Sequence, residues 1–423
     1  MNTPFAPTLW VVSELYYPER TSTGHFLTGI AEGLASRFRV NALCAQPTYS
    51  ARGTVAPRKE VHNGVHIHRC RSTALDKNVL AFRIVNIATM TVSMLIAALA
   101  GMRRGDLVLV VTNPPLLPYV MLLAARMRGA RTVLLVHDVY PEVLVATGMI
   151  GPHSFLEKLG QRASQFLLRG VDRIVAIGRD MRDVLLRRGE DLRQKIDIIP
   201  NWGDTDVVVP NNPAADRLLS SLGLQDKFVV QYLGNMGRTH PLDLLLDAAK
   251  LLSSDAEVHF IFCGEGARRR SMERRIERER PANVTLLPPC SSEDLPAHLD
   301  ACDLSVIALI PGMSGNSVPS RMYNVMAAGK PILAISEDDS ELCRVVREED
   351  IGWTLSAKAT TEDIATVIRA AAADRARLET MGQRARHAAE ERYSRTHVVE
   401  SFGALFDGMS RARTLTSSET GAR

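Results

Sequence analysis

Short apolar runs alternate with longer amphipathic segments along most of this 423-residue chain. The runs are rich in valine, isoleucine and leucine, as buried parallel strands require, and the longer segments have helical spacing. A repeated strand–loop–helix unit buries both faces of its sheet in a doubly wound α/β fold. A polar stretch rich in proline and asparagine interrupts the pattern at 200–213, and the pattern then starts again. We therefore predict two α/β domains, at residues 1–200 and 201–393.

The composition limits the kinds of partner and site to expect. Hydrophobic residues make up 46% of the chain and charged residues 23%, which is enough to build two cores. The formal net charge is only +4, and the sequence has no zinc-finger spacing or basic–aromatic platform, so we predict no nucleic-acid partner. The six cysteines are scattered without a C-x-x-C pair. We expect a reducing, cytoplasmic environment and no structural metal site.

A glycine-bearing loop leads into a short helix within residues 310–333. We predict that Ser317 caps this helix, that Pro319 lies in its first turn and that Gly329 ends it in a left-handed conformation. Three apolar residues at helical spacing form its buried face: Met322, Val325 and Met326. Three polar residues lie off that face: Ser320, Arg321 and Asn324.

This short helix has two interpretations. A helix N-terminus with free N–H groups, next to a hydroxyl, a guanidinium and an amide, can hold a pyrophosphate. A capped surface helix with an ordinary exposed arginine has the same sequence pattern. The segment alone does not decide between them.

Polar residues also follow several other predicted strands, at the edge where parallel sheets bind ligands. A hydroxyl-rich loop ending in Ser22, Thr23 and Gly24 follows the first strand, and we favour a substrate loop over a simple connection. His137 and Asp138 follow the strand at residues 131–136. A histidine there can exchange a proton near neutral pH. The alternative is a hydrogen-bonded histidine beside a helix-capping aspartate.

Residues 84–102 form a run of nineteen residues without a charge, followed by Arg103 and Arg104. The run has the length of a membrane span, but α/β elements follow it at once. We predict a mostly buried helix whose outer face dips into a membrane surface. A core helix with a solvated basic edge is the alternative, and a true span is disfavoured because the next strand must rejoin the sheet.

Six separated motifs occur here in the order in which one enzyme family has them. They are the Gly24 loop, His137-Asp138, Ile199-Pro200-Asn201-Trp202, the loop 234–241, Gly264-Glu265-Gly266, and Pro319 to Pro331. Together they resemble the retaining glycosyltransferases of family 4, whose GT-B fold places two Rossmann-like parallel-sheet domains across a cleft. The segment from Val11 to Leu27 resembles the branch that assembles bacterial surface polysaccharides, such as O-antigen L-fucosamine and colanic acid transferases.

The resemblance implies a role for individual residues. A nucleotide-diphosphate sugar would bind mainly to the second domain, without a cofactor or an obligatory metal. Arg321 would neutralise the leaving diphosphate, and His137 and Asp138 would lie near the transferring sugar. Ser22, Thr23 and Gly24 would lie on the acceptor side. The remaining donor-binding residues would be Gly237, Arg238, His240, Gly264, Glu265, Leu287, Pro288, Asn316, Ser320 and Asn324.

The chain departs from the family pattern at several of these places. Asn316 and Asn324 stand where many members have glutamates, and Asn235 and His240 replace an arginine and a lysine. Arg238 and Arg321 are then the only permanent cations expected at the site. A helix at about 394–410 would cross back to the first domain. Residues 411–423 are small and polar, and we expect them to be disordered.

We predict a retaining glycosyltransferase at the inner face of the cell membrane. It would move a sugar, for example an N-acetylated deoxyhexosamine, to a polyprenyl-diphosphate-linked saccharide in O-antigen or exopolysaccharide synthesis. Two alternatives stay open. One is a nucleotide-sugar epimerase on the same fold, and the other is a non-catalytic membrane-bound scaffold of the polysaccharide assembly complex.

Overall fold

The computed structural model describes residues 7–47, 55–73, 75 and 80–420. The first part of the chain alternates between strands and helices as its apolar pattern predicts. Its elements are β1 (Thr8–Val12), α1 (Ser22–Leu34), β2 (Arg39–Cys44), β3 (Lys59–His62), β4 (Val65–Arg69), α2 (Leu80–Gly101), β5 (Leu107–Val111), α3 (Leu117–Arg128), β6 (Arg131–Val136), α4 (Glu142–Ala146), α5 (Phe155–Gly170), β7 (Arg173–Ala176), α6 (Arg179–Leu186), a 3-10 helix (Glu190–Lys195) and β8 (Ile196–Ile198).

Eight of the described strands form one sheet in the order β3-β4-β2-β1-β5-β6-β7-β8. All neighbours are parallel except β3 and β4, which form an antiparallel edge. The apolar pattern of the sequence does not predict β3, because this short strand at the sheet edge has a single apolar residue, Val61. The central strands are apolar throughout and buried, because helices cover both faces of the sheet.

The second part repeats this architecture. Its elements are α7 (Pro213–Leu222), β9 (Phe228–Leu233), α8 (Leu242–Leu251), β10 (Val258–Cys263), α9 (Arg269–Glu279), β11 (Val284–Leu287), α10 (Leu295–Asp300), β12 (Leu304–Ala308), α11 (Arg321–Ala327), β13 (Ile332–Ser336), α12 (Glu341–Glu348), β14 (Gly352–Ser356), α13 (Thr361–Ala373) and α14 (Arg375–Glu391). Six of the described strands form a wholly parallel sheet in the order β11-β10-β9-β12-β13-β14. The architecture is therefore α/β, with two Rossmann-like domains in the GT-B arrangement.

The last helix, α15 (Arg395–Thr420), returns to the first domain. Val398, Phe402 and Phe406 are buried in the first domain's core. The helix continues to Thr420, into the segment for which we predict disorder, and that prediction stays a prediction. No glycine or proline interrupts the chain between Met409 and Thr420, so nothing local stops the helix. Residues 421–423 lie outside the described part.

Buried polar contacts join the two domains beside the cleft that separates them. The Asp180 carboxylate accepts hydrogen bonds from the backbone N–H of Gly315 at 2.9 Å and of Glu341 at 2.8 Å. Arg179 pairs with Glu341 at 3.0 Å from the same side. Gly315 has a positive φ of 71°, and an added Cβ would lie 2.3 Å from Val184. The first domain's α6 therefore packs closely against the loop that leads to α11.

Among the described residues, one helical stretch, Ile84–Gly101 in α2, is long and apolar enough to cross a membrane. Length and composition alone are weak evidence, because core helices of soluble proteins meet the same criteria. Met90, Met94 and Ala98 pack into the first domain's core. Only 28% of the stretch is buried, so the prediction of a mostly buried helix is wrong. One stripe of this helix packs inward, and the opposite stripe is exposed.

Candidate active-site cleft

A cleft of about 920 Å³ lies between the two domains. The first domain contributes the loop after β1, together with one face of α1. The second domain contributes the loop after β9 and parts of α10 and α11. Both post-strand loops lie at carboxyl ends of parallel strands, where doubly wound sheets bind ligands. The cleft lining among the described residues includes five predicted site residues: Ser22, His240, Ser320, Arg321 and Asn324.

Two of these residues meet across the cleft. Ser22 begins α1 in the first domain, and Ser320 immediately precedes α11 in the second. Their hydroxyl oxygens are 2.9 Å apart, so one serine donates a hydrogen bond to the other. The residue expected on the acceptor side therefore touches a residue expected to bind donor. A ligand that spans both domains would meet both hydroxyls.

Arg321 is the first residue of α11, and its guanidinium lies in the cleft. The guanidinium carbon lies 4.3 Å from the centre of the Tyr232 ring, which supports the charge as a cation–π partner. Nη1 donates to the Leu233 carbonyl at 3.3 Å. Gly234 leaves room for the guanidinium, since an added Cβ would lie 3.1 Å from Nη1. Arg321 Nε is buried without a hydrogen-bond partner among the described residues.

The neighbouring His240 does not use up the donors of Arg321. His240 Nδ1 lies 2.8 Å from the Ala308 carbonyl, so we assign the ring proton to Nδ1, where it donates to that oxygen. Nδ1 then cannot accept from Arg321 Nη2, which is 3.5 Å away. Burial, followed by the charge of Arg321, lowers the pKa of His240 to about 3. His240 is therefore neutral near pH 7, and Arg321 carries the positive charge at this place.

The start of α11 differs from the prediction. The helix begins at Arg321, and Ser317 forms an antiparallel bridge with Asp138 instead of capping it. Two of the early N–H groups are already bonded, from Met322 to the Pro319 carbonyl at 3.1 Å and from Tyr323 to the Ser320 carbonyl at 3.3 Å. These two N–H groups are therefore not available to a ligand, although the pyrophosphate interpretation needs free donors at this end of the helix. The guanidinium of Arg321, which lies beside these bonded groups in the cleft lining, is a group that can hold an anion here.

Other parts of the expected helix are confirmed. Met322, Val325 and Met326 are at most 2% exposed, as their spacing predicts. Gly329 follows the helix with a positive φ of 65°. Because the buried face is fixed in this way, Ser320, Arg321 and Asn324 can all line the cleft.

The glycine motifs after β9 and β10 pack against each other. An added Cβ on Gly264 would lie 1.8 Å from the Gly234 carbonyl oxygen, and Gly264 has a positive φ of 151°. The Glu265 carbonyl accepts from the backbone of Met236 at 2.8 Å. Only glycine fits at position 264, because any side chain would push these two loops apart. The glycines hold the loop shape that positions residues 233–235 at the cleft.

Several expected donor residues lie beside the cleft lining and not in it. Arg238 and the Glu265 side chain are exposed, whereas Gly237 is partly buried. The carbonyls of Leu287 and Pro288 accept from Arg269 at 2.8 Å and from the Cys263 thiol at 3.1 Å. Asn316 donates to the Gly312 carbonyl at 2.7 Å, and its own side-chain oxygen is buried without a partner in the described part. Among the described residues, these six and Gly264 are absent from the lining.

The histidine and aspartate after β6 have separate environments. His137 Nδ1 lies 3.4 Å from the Thr23 hydroxyl, so the structure brings these two predicted residues together. Burial lowers the pKa of His137 to about 4, and its Nε2 has no partner in the described part of the chain. Burial raises the pKa of Asp138, whose hydrogen bond from Ser317 opposes that shift. Thr112 accepts from both backbone N–H groups, at 3.1 and 3.2 Å.

The loop that leads to Gly24 is held by hydrogen bonds and close contacts at the start of α1. The Thr21 hydroxyl caps α1 by accepting from the Gly24 N–H at 3.3 Å. Gly24 lies so close to the Glu19 carbonyl that a Cβ would approach it to 2.8 Å. This tight turn fixes the positions of Ser22 and Thr23, so the first domain presents both hydroxyls from a rigid element.

The sequence does not indicate a group of contacts that lies at the junction between the domains. The Asn324 side-chain oxygen accepts from the backbone N–H of Asp204 at 2.9 Å. Asp204 pairs with His25 at 3.2 Å and accepts from the Trp202 indole at 3.1 Å. Burial alone would raise the pKa of Asp204, but His25 and Trp202 lower it overall. This group ties the junction between the domains to α1 and α11. The Pro/Asn-rich composition at 200–213 predicts a boundary but not these contacts.

The cleft also contains cations that the sequence analysis did not assign. Arg20 and Arg395 line it together with Arg321, so the expectation of only Arg238 and Arg321 is wrong. Arg395 Nη2 lies 3.3 Å from the Glu32 carboxylate and 3.3 Å from the Gly29 carbonyl. Its partners hold it against α1. Since α15 comes from the end of the chain, sequence spacing gives no signal that Arg395 belongs here.

Two protein families match successive parts of the chain. The "Glycosyl transferase 4-like domain" matches residues 23–202, and "Glycosyl transferases group 1" matches residues 217–388. The two matches meet at the polar boundary between the sheets. They correspond to the first and second Rossmann-like domains.

Named proteins are similar over large parts of the chain. WbjE of Pseudomonas aeruginosa, named as a glycosyltransferase, is 35% identical over 59% of this chain, and the match spans 62% of its own length. WcaI of Escherichia coli (strain K12), named as a colanic acid biosynthesis glycosyl transferase, is 25% identical over 77% of this chain and 83% of its own. HepE of Anabaena, solved in complex with UDP-glucose, has a TM-score of 0.71 at 15% identity and covers 95% of this chain and 99% of its own. HepE therefore has the same fold.

Proposed function

We propose that this chain, in which a glycosyl transferase 4-like domain is followed by a glycosyl transferases group 1 domain in a GT-B arrangement, transfers a sugar during synthesis of a bacterial surface polysaccharide. The donor is a nucleotide-diphosphate sugar. The acceptor is a polyprenyl-diphosphate-linked saccharide. One observation carries the proposal: Arg321 points its guanidinium into a large interdomain cleft while its internal hydrogen bonds leave donors free.

The donor diphosphate binds to Arg321 in this proposal. A guanidinium presents several donors in a planar fork and stays charged at every physiological pH. Its charge stabilises the negative charge that develops on the departing nucleotide diphosphate, and no obligatory metal or cofactor is required. Ser320 and Asn324, which lie beside Arg321 in the lining, bond hydroxyl groups of the donor. The UDP-glucose complex of HepE supports a nucleotide-sugar donor on this fold.

The acceptor approaches from the first domain, and the reaction retains the configuration of the transferred sugar. Ser22 lines the cleft on that domain, and behind it the Thr23 hydroxyl lies 3.4 Å from the buried ring of His137. His137 is neutral near pH 7, because its pKa is lowered to about 4. It therefore bonds the transferring sugar and does not supply a proton from an imidazolium. Asp138 supports the interdomain bridge beside it.

The proposed acceptor is attached to a lipid, so the protein works at the inner face of the cell membrane. The exposed stripe of α2 includes Ile84, Val92 and Ile96, which are at least 56% exposed. Helix α5 exposes Phe155, Leu156, Leu159 and Phe166 to similar degrees. Helix α3 packs against both helices, so these residues belong to one side of the first domain. Exposed apolar patches of this kind mark interaction sites.

Basic side chains accompany this apolar side. Lys158 and Arg162 are exposed on α5, and Arg103 and Arg104 follow α2. Arg126 of α3 lies 5.9 Å from the Phe166 ring. Apolar side chains flanked by arginine and lysine suit the boundary between acyl chains and anionic headgroups. The arrangement supports peripheral binding to the cytoplasmic leaflet.

The experiment that tests the function is a transfer assay with nucleotide-diphosphate sugars and polyprenyl-diphosphate-linked saccharides. We expect release of nucleoside diphosphate that depends on both substrates, and a product of retained configuration at the transferred carbon. Conversion of donor without an acceptor would favour the epimerase. Donor binding without transfer to any acceptor would favour the scaffold.

A further inference from the structure

Two cysteines and a histidine come together at one edge of the second sheet. Cys263 is the last residue of β10, Cys290 lies three residues beyond β11, and His298 lies in α10. One ligand atom from each, two sulfurs and one imidazole nitrogen, all lie within 4.8 Å of one another. Linear spacing does not predict this cluster, because the two cysteines are 27 positions apart in the sequence and the histidine belongs to the next helix.

The fold holds the three side chains in place. Strands β10 and β11 are parallel neighbours, with Cys263 opposite Leu287, so the chain turns back only slightly to bring Cys290 beside Cys263. The His298 carbonyl accepts from Gln231 at 2.7 Å, which fixes that part of α10 to β9. His298 Nδ1 is buried and has no hydrogen-bond partner in the described part of the chain. A buried nitrogen without a partner is costly unless a ligand satisfies it.

We propose that Cys263, Cys290 and His298 bind a thiophilic divalent cation, with Zn²⁺ as the best fit. Two sulfurs and one imidazole form a soft to borderline donor set that suits zinc and disfavours magnesium or calcium. With zinc–sulfur bonds of about 2.3 Å, tetrahedral geometry places two sulfurs about 3.8 Å apart. The observed limit of 4.8 Å therefore requires a contraction of no more than about 1 Å to reach this geometry. Water completes the fourth position.

Binding displaces protons from the two thiols. Cys263 donates its thiol hydrogen to the Pro288 carbonyl at 3.1 Å in this structure. The zinc ion takes the place of the proton on each sulfur, so up to two protons leave for each ion bound. The imidazole binds in its neutral form, through the ring nitrogen that lies near the two sulfurs. No oxidant or reductant takes part.

The ion would tie one wall of the cleft to the sheet. Cys290 and His298 flank a segment that lines the cleft through Ser292, Leu295 and Pro296. Within this turn the Ser291 hydroxyl donates to the Asp294 carboxylate at 2.7 Å and accepts from the Asp294 N–H at 3.1 Å, and both bonds are exposed. A cation bound to both ends would restrict the segment. The metal site itself does not depend on the proposed function. A change in nucleotide-sugar affinity when the ion restricts this segment does rest on the proposed function.

The test uses the full-length protein, reduced with a phosphine and stripped with a chelator. Titration with Zn²⁺ alone should saturate at about one ion per chain and raise the melting temperature. Co²⁺ in its place should give the near-ultraviolet absorption of a thiolate–cobalt bond. Cys263→Ala, Cys290→Ala and His298→Ala should each weaken binding at least about tenfold, because loss of even an outer-shell partner has that effect. Cys343→Ala removes a buried thiol from the same domain and should bind as the parent does.

Two results would overturn the metal site. One is the absence of stoichiometric zinc binding by the reduced parent, including the case in which mass analysis of the untreated protein shows a Cys263–Cys290 disulfide. The other is binding that the three variants leave unchanged. His298→Ala keeps the test usable if a cysteine variant fails to fold. Zinc binding without any change in nucleotide-sugar affinity would leave the site standing and would reject only its effect on the cleft.

Discussion

Replacement of Arg321 by alanine tests the chemistry assigned to the cleft. Within the protein, Arg321 makes one long hydrogen bond to Leu233 and a cation–π contact with Tyr232. Each contact contributes about 1 kcal/mol, so the variant should lose only about 1–2 kcal/mol of folding stability. A fixed donor aimed at a developing negative charge contributes about 2–4 kcal/mol to transition-state stabilisation. The turnover rate should therefore fall roughly 30- to 1000-fold.

The assay is sugar transfer at saturating concentrations of donor and acceptor, with folding checked by thermal unfolding. Arg321→Lys keeps the charge but loses the planar fork, and should recover only part of the rate. Arg270→Ala removes an exposed arginine from α9 of the same domain and serves as the control for loss of charge. Turnover by Arg321→Ala within about threefold of the parent would refute the assigned role, since threefold is well under 1 kcal/mol.

Three further predictions concern stability and membrane binding. Gly264→Ala places a Cβ against the Gly234 carbonyl at a positive φ, and should lower the free energy of unfolding by about 2–4 kcal/mol in urea titrations. His137 has a folded-state pKa of about 4 against 6.5 when unfolded. As the pH falls, the His137 side chain is therefore protonated in the unfolded state before it is protonated in the folded state. The contribution of His137 to the free energy of unfolding is highest above pH 6.5 and decreases as the pH falls toward 4, by up to about 3 kcal/mol. His137→Asn should flatten that part of the stability–pH curve. A double variant of Ile96→Asp and Phe155→Asp should lose binding to anionic vesicles by more than about tenfold in co-sedimentation, because each apolar side chain contributes about 1.5–3 kcal/mol on burial.

Each of these three predictions would be contradicted by one specific result. Unfolding of Gly264→Ala at the parent's urea midpoint would show that the two loops separate without cost. An unchanged pH slope in His137→Asn would assign the acid sensitivity to other groups. Equal vesicle binding by the double variant would remove the first domain's apolar side from the membrane proposal. Val61→Asp, which changes an exposed apolar residue on the β3 edge, is the matched control for that experiment.

The sequence predicts best where a repeated local pattern determines structure. The apolar runs predict nearly all of the described strands, and the spacing of Met322, Val325 and Met326 identifies the buried side of α11. Since that side is buried, the cleft position of Arg321 follows from the helical period. The sequence predicts that Gly264 binds donor, and the structure shows that it lets two loops pack closely together.

The features that the sequence did not predict arise from contacts between segments that are far apart in the chain. Serine is a common helix-capping residue, but Ser317 pairs with Asp138 of the other domain and does not cap α11. The sequence predicts that Asn324 binds the donor. In the structure its side-chain oxygen also accepts a hydrogen bond from the backbone N–H of Asp204 at the domain junction. Arg395 joins the cleft only because α15 returns to the first domain. The cysteine and histidine cluster arises from strand register, which no linear motif records.

The most direct test of the central claim is a thermal-shift titration of the protein and of Arg321→Ala with uridine and guanosine diphosphates and their sugars. A ligand that binds only the folded state raises the melting temperature as its concentration exceeds its dissociation constant. We predict that at least one nucleotide stabilises the parent in a concentration-dependent way and that Arg321→Ala needs a much higher concentration for the same shift. Equal stabilisation of both proteins, or no stabilisation of the parent with lipid acceptor present, would contradict the account.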